Sequence, residues 1–248
     1  MTESQLKSDD LTADRLPRHV AIVMDGNGRW AAGQDKPRNF GHARGAEAVL
    51  PIVRECGRLG MEALTMYALS SENLLRRPPD EVDALMELYE LHLREQRAEM
   101  IEGNIRFIHV GRREGVAPAV LDELDATVEA TADNDGLRLC LALNYGSRQE
   151  IIDAARRVAL DAEAGRLDLD ALDEQAISDR LYTAGVPDPD LLIRTAGEMR
   201  LSNFLLWQLS YAEIYVTPTL WPDFNESTLH QAIAEYAKRT RRFGAVVQ

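Results

Sequence analysis

Two periods alternate along this chain. Short apolar runs rich in β-branched residues, which predict buried strands, are separated by longer stretches whose apolar positions recur at helical spacing. His19 to Met24 is the first such run, and it stops at Asp25-Gly26-Asn27-Gly28, a strong turn signal. Gly41 to Leu59 then predicts a helix and Ala63 to Leu69 a second buried strand. Asp80 to Glu102 predicts a long amphipathic helix with Val82, Leu85, Met86, Tyr89 and Leu93 on one face and charges on the other. Strand Ile105 to Val110, helix Pro118 to Ala132, strand Leu137 to Leu143 and helix Arg148 to Ala164 follow, then strands Leu191 to Arg194 and Glu213 to Thr217 and helix Ser227 to Arg241. About six strands alternating with helices predict a single-domain α/β fold with a mostly parallel central sheet flanked by helices. Residues 1–16 read as a polar, flexible leader and 17–248 as one domain, with no repeat or clear linker inside it. The acidic stretch Asp161 to Asp173 reads as a connection between two helices.

Composition narrows the function classes. With 45% hydrophobic and 28% charged residues in 248, the chain is an ordinary globular protein and neither collagen-like nor disordered throughout. Its 28 basic against 41 acidic residues leave a net charge of −13, which repels polyanions and argues against general nucleic-acid binding. Any anionic ligand must therefore be held by local groups. Cys56 and Cys140 each lie in an apolar stretch and form no Cys-x-x-Cys pair, which suits buried thiols in a reducing compartment. The apolar runs fall far short of the roughly 18 residues needed to span a bilayer, and Met1 to Asp14 is too polar for a signal peptide. A cytoplasmic protein is the expectation.

Ligands of open α/β sheets sit outside the carboxyl ends of the strands, and that is where the chemistry-bearing residues cluster. The first cluster is Asp25-Gly26-Asn27-Gly28-Arg29-Trp30, with Arg38, His42 and Gly45 beyond it. Its glycines let backbone N–H groups approach an anion, and its arginines supply charge. Asp25 would repel a phosphate unless a divalent cation bridged the two. Taken alone, the segment reads more readily as a tight turn with a solvated Asp. The second cluster, Ser70-Ser71-Glu72-Asn73-Leu74-Leu75-Arg76-Arg77, could orient a polar headgroup or merely cap the helix that follows. The third is Arg194 to Asn203, where Arg194 and Arg200 call for an anionic partner, either a ligand or Glu198 or Glu213. Asp9 to Asp14 is a solvated leader rather than a metal cluster, and His92, His109 and His230 lack metal-ligand spacing and read as packing or surface residues.

Together, His19 to Ala31, Gly41-His-Ala-Arg-Gly45, Ser70-Ser-Glu-Asn73, Asn144-Tyr-Gly146, Arg194-Thr-Ala-Gly-Glu198, Arg200 to Gln208 and Trp221-Pro-Asp-Phe224 resemble the cis-prenyltransferases, the undecaprenyl diphosphate synthase family, from about Pro17 to Gly244. The resemblance implies an enzyme that adds isopentenyl diphosphate repeatedly to an allylic diphosphate, commonly farnesyl diphosphate, with Mg2+ required, each addition creating a Z double bond. By match of motif, Asp25 and Asn73 would be catalytic, and Asp25 and Glu213 would hold the metal. Gly26, Asn27, Gly28, Arg29, Trp30, Arg38 and His42 would hold the allylic substrate. Ser70, Ser71, Glu72, Leu74 and Arg76 would border both substrates, and Arg194, Arg200, Leu201 and Ser202 would hold isopentenyl diphosphate. Arg242 and Gly244 resemble a tail that reaches the partner's site in a homodimer. The apolar face of the Asp80 helix, with Leu139 and Leu141, would line a product tunnel, although each of these residues read singly is ordinary core. Small Ala68 and Leu137 match long-chain members, so a product of undecaprenyl length, peripheral membrane contact through that lipid and a role as cell-wall lipid carrier are expected.

The chain departs from the family pattern in the loop after Asn73, which is one residue longer and lacks a tryptophan, so that either Arg76 or Arg77 takes the phosphate role. Leu69, Ala196 and Met199 also replace common family residues. Two rival readings stand beside this one: a non-catalytic subunit of the same fold supporting a partner synthase, and a shorter-product Z-prenyl diphosphate synthase. A phosphoryl-transfer or hydrolytic enzyme is disfavoured because no Walker lysine motif is present.

Overall fold

The computed structural model describes residues 15–239. Its six strands are β1 (His19–Val23), β2 (Ala63–Ser70), β3 (Arg106–Val110), β4 (Arg138–Tyr145), β5 (Leu191–Arg194) and β6 (Glu213–Val216). They form one sheet in the order β3-β4-β2-β1-β5-β6, and every pairing is parallel. The helices are α1 (Asn27–Ala32), α2 (Arg38–Glu47), α3 (Val49–Arg58), α4 (Ser71–Arg76), α5 (Pro79–Glu102), α6 (Pro118–Ala130), α7 (Ser147–Glu163), α8 (Glu174–Ser178) and α9 (Glu226–Ala237). A parallel sheet needs cover on both faces, which explains why β1 is buried at all five positions instead of alternating. Val20, Ile22, Leu64 and Met66 pack under α3, α5, α6 and α9. Ala21, Val23, Tyr67 and Ala142 pack on the other face against Tyr145, Phe204 and Leu205. There the fully buried Glu150 of α7 accepts from the Tyr145 hydroxyl at 2.5 Å and the Tyr182 N–H at 2.9 Å.

The expected single helix from Gly41 to Leu59 is two helices, parted at Ala48. Pro51 lies in the first turn of α3, where its missing N–H costs nothing, but a continuous helix would have needed that N–H for the carbonyl of Glu47. The segment after β2 is likewise helical, as α4, because the Ser70 hydroxyl accepts the Asn73 N–H at 3.0 Å and caps it. In the pairing of β2 with β4 the register shifts on either side of Leu69, a bulge that leaves Ala68 out of the ladder.

The sheet order matters for function. β1 lies between β2 and β5, so the chain leaves β1 toward one edge of the sheet and returns to its other side after β4. The crevice beyond the carboxyl ends of β1 and β5 is the topological switch point of such a sheet. Asp25 and Arg194 stand there.

Candidate active site

Asp25 follows β1 by two residues. Its N–H donates to the Thr195 hydroxyl at 2.8 Å, which donates in turn to the Asp25 carbonyl at 2.7 Å, so the end of β5 sets the turn. Gly26 has φ +108°, and a Cβ there would lie 2.9 Å from Leu220 Cδ2, so both the backbone and the space demand glycine. Gly41 and Gly45 lie one turn apart on α2, where a Cβ would fall 2.1 Å from the Asn27 carbonyl oxygen and 2.4 Å from its Oδ1. That contact packs α2 directly on the turn.

Three guanidinium groups meet the Asp25 carboxylate: Arg194 at 2.9 Å, Arg29 at 3.7 Å and Arg200 at 3.9 Å. Arg194 is 4% exposed and also donates to Ser202 Oγ at 2.8 Å. Glu198 shares two of these cations, meeting Arg29 at 3.4 Å and pairing closely with Arg200. Two carboxylates therefore sit within one arginine cluster. A second cluster lies alongside, where Glu81, 8% exposed in the first turn of α5, holds Arg77 at 2.9 Å, Arg38 at 3.0 Å and His42 at 3.3 Å. Burial and the neighbouring Arg77 push the His42 pKa down to about 4, so its imidazole is neutral near pH 7.

Both clusters open onto one cavity of about 630 Å³. Asp25, Gly26, Asn27, Gly28, Arg29, Arg38, His42, Arg77, Glu198 and Arg200 line its polar end. Val49, Met66, Leu85, Leu88, Leu93, Met100, Phe107, Leu139 and Leu141 line the rest. Ala68 and Tyr89 also border it, and the Tyr89 hydroxyl donates at 2.9 Å to the Ala68 carbonyl that the bulge frees from the ladder. Of the buried side-chain atoms without a partner among the described residues, Asn27 Oδ1, Ser71 Oγ, Glu72 Oε2 and Arg194 Nε belong to the predicted site residues, and Gln208 Oε1 does not. Folded proteins leave few such atoms unpaired, and a ligand site is one place where they persist.

Several predicted residues stand elsewhere. Trp30 donates to Asp223 Oδ1 at 2.8 Å and stacks on Phe40, bracing α1 instead of lining the cavity. Asn73 and Arg76 are exposed on α4 and Leu201 packs under the sheet; none of the three is among the cavity residues. Arg77 lies one residue past the end of α4, in extended backbone, and is the arginine of this pair that faces the cavity. Ser71 and Leu74 line a separate groove beside α4, and Glu72 accepts from Asn203 at 2.7 Å. Glu213, expected to hold a metal together with Asp25, does not stand beside it in this chain. It is level with Leu191 and hence with Val20, about 16 Å down the sheet from Asp25 on five residues of strand rise. There it pairs with Arg239 at 2.7 Å. Arg242, Gly244 and the acidic leader lie outside the described residues. His109 and His230 have packing roles, on the Leu143 carbonyl and on Glu55, whereas His92 lines the cavity. Glu198, named from the sequence as a possible partner of Arg194 and Arg200, does pair with Arg200; Glu81 had no such signal beyond being an acid in the first turn after Arg77-Pro78-Pro79.

Comparison with known proteins agrees with this geometry. A family model described as undecaprenyl diphosphate synthase matches residues 23–244. The isoprenyl transferase of Geobacter sulfurreducens is 49% identical, with 94% of this chain and 95% of that protein covered. That of Agrobacterium fabrum is 48% identical, covering 96% of each. The crystal structure of lavandulyl diphosphate synthase from Lavandula x intermedia, in complex with dimethylallyl diphosphate, has a TM-score of 0.90 and 39% identity, with 93% of this chain and 99% of that chain covered. The parallel α/β sheet, together with this likeness to isoprenyl transferases and to a prenyl diphosphate synthase structure, marks an isoprenyl-transferring enzyme and not a helical prenyl synthase. The chain belongs to the undecaprenyl diphosphate synthase family.

Proposed function

We propose that this cis-prenyltransferase extends an allylic diphosphate, farnesyl diphosphate foremost, by repeated addition of isopentenyl diphosphate, and releases a long-chain Z-polyprenyl diphosphate of undecaprenyl length. One observation carries the reading: a cluster of arginines around Asp25 at the mouth of a cavity whose remaining wall is apolar. A diphosphate on a hydrocarbon tail has that same division. The binding of dimethylallyl diphosphate by the lavandulyl diphosphate synthase supports an allylic ligand here as well.

Magnesium fits the donor set in one form only. Among the described residues no group of three or more His, Cys, Asp or Glu side chains could enclose a metal ion. Magnesium, however, keeps several waters and commonly takes one or two carboxylates together with substrate phosphates. Asp25 would hold it, with Glu198, which shares Arg29 and Arg200 with it, as a second carboxylate in the same cluster. Bound there, it would neutralise charge on the leaving diphosphate. The chain's own residues do the rest. Arg29, Arg38 and Arg77 clamp the allylic diphosphate, and Arg194 and Arg200 orient the second substrate. The allylic C–O bond breaks as charge grows on a diphosphate already held by these donors, and the isopentenyl alkene attacks the allylic carbon. A proton then leaves the condensed chain. A phosphate oxygen or water takes that proton, since Asn73 is a carboxamide, no titratable base, and stands on α4 outside the cavity wall. The elongating tail occupies the apolar end of the cavity, which acts as the product tunnel.

The active form is a cytoplasmic homodimer that touches the inner face of the membrane through its lipid product. Among the described residues no helix is long and apolar enough to cross a membrane. A shorter product is the second reading, favoured by the 0.90 TM-score to lavandulyl diphosphate synthase. Incubation of the purified protein with farnesyl or dimethylallyl diphosphate, labelled isopentenyl diphosphate and magnesium, followed by chain-length analysis, separates the two. No incorporation with either primer would overturn the proposal and leave the supporting-subunit reading.

A further inference from the structure

The wall that α5 gives to the cavity is apolar at Leu85, Leu88, Leu93 and Met100, but it carries His92 and Gln96 one turn apart between them. The Gln96 amide pairs with His92 Nδ1 at 2.9 Å, and both side chains are half-buried, so their remaining polar atoms keep contact with water. Tyr89, one turn earlier, differs because its hydroxyl is already satisfied by the Ala68 carbonyl. Measured along the helix, His92 lies about 10 Å beyond Leu85, and Met100 about 12 Å beyond His92. The polar pair therefore interrupts the apolar wall midway.

We infer that His92 and Gln96 form a chain-length determinant: a polar step on the cavity wall that limits how many isoprene units the growing tail accommodates. The inference rests on the proposed function, since it needs a hydrocarbon tail in this cavity. Its physical basis is desolvation. A tail that stops short of the pair covers only Leu85, Leu88 and Tyr89 on this helix and gains from each contact. A tail that passes it strips water from the free imidazole nitrogen and the carboxamide oxygen and returns no hydrogen bond to either. Each unit laid over the pair thus gains less than the unit before it, and release of the shorter product competes better with another addition. The apolar space at Met100, Phe107 and Leu139 continues the path, so no steric floor stops the tail at the step itself.

The test compares the wild type with His92→Leu, Gln96→Leu and the double variant at one fixed ratio of allylic to isopentenyl diphosphate, with products resolved by mass. The double variant is expected to shift the major product to a longer chain by one or more isoprene units, with the single variants between. A readout without turnover titrates prenyl diphosphates as ligands by calorimetry. Affinity for a long-chain relative to a short-chain compound should strengthen about tenfold in the double variant, the size expected when a stranded polar group is removed. A double variant with the thermal midpoint of the wild type and an unchanged or shortened product distribution overturns the inference, as does an unchanged affinity ratio. His92→Ala with Gln96→Ala gives the same comparison if the leucines impair folding. Absence of any condensation by the wild type would defeat the proposed function instead, and the affinity ratio would still judge the pair.

Discussion

Replacing Asp25 by Asn separates the two tasks of this carboxylate. The side chain is 29% exposed and faces Arg194, itself 4% exposed, at 2.9 Å. Stripping the partner from a fully buried ion pair costs roughly 3–5 kcal/mol. Asp25 is only partly buried, and Arg194 keeps Ser202 Oγ and the Arg200 carbonyl as acceptors, so the loss for Asp25→Asn is expected to be about 2 kcal/mol. A domain with stability of order 5–15 kcal/mol survives that. Activity should fall far more. If the carboxylate anchors magnesium, the variant forfeits several kcal/mol of charge stabilisation in the transition state, or about a thousandfold in rate. Binding of inorganic diphosphate without metal should move the other way, because three guanidinium groups lose a competing anion. Calorimetric titration with diphosphate, with and without magnesium, provides the assay, alongside a urea midpoint and a steady-state rate. Tighter metal-free binding, loss of the magnesium effect and a folded but inactive protein are expected together. A variant that keeps its turnover and its magnesium dependence would refute the assignment of Asp25.

Two further outcomes follow from the site and the core. Glu81→Gln frees Arg38, Arg77 and His42 from their shared anchor, so KM for the allylic diphosphate should rise about tenfold with kcat changed less, because positioning and not chemistry is lost; equal losses in kcat and kcat/KM would place Glu81 in the reacting assembly instead. Stability should fall on acidification between pH about 6.5 and 4. Burial lowers the His19 pKa to about 4, so over that window the unfolded chain binds the proton that the folded chain refuses, and the stability held above pH 6.5 is lost toward pH 4. His19 alone accounts for about 3 kcal/mol of this, and His42 acts in the same direction. Urea midpoints at pH 7 and pH 5 check the sign, and equal midpoints would contradict it.

The strands were legible because burial on both faces writes itself into a chain as continuous apolar runs, and the Asp25 turn because Gly26 and Gly28 follow such a run. The break at Ala48 was also readable, since Pro51 is incompatible with an unbroken helix there, but the apolar period runs through it and masks the stop. The competition between Arg76 and Arg77 could not be settled locally. It depends on α4 ending at Arg76, and thus on the Ser70 cap that makes a helix of what resembles a loop.

The chain on its own terms determined which segments pair into a parallel sheet and that polar chemistry gathers at strand ends, because periodicity and turn chemistry act between neighbours in sequence. Which ends become neighbours was decided only in three dimensions. The placement of β5 beside β1 brings Arg194 within 2.9 Å of Asp25 across 169 residues of chain, while the parallel register carries Glu213 to the opposite end of the sheet. Glu81 and Glu198 become part of the site for the same reason, since a carboxylate's role is set by the cations that the fold aims at it.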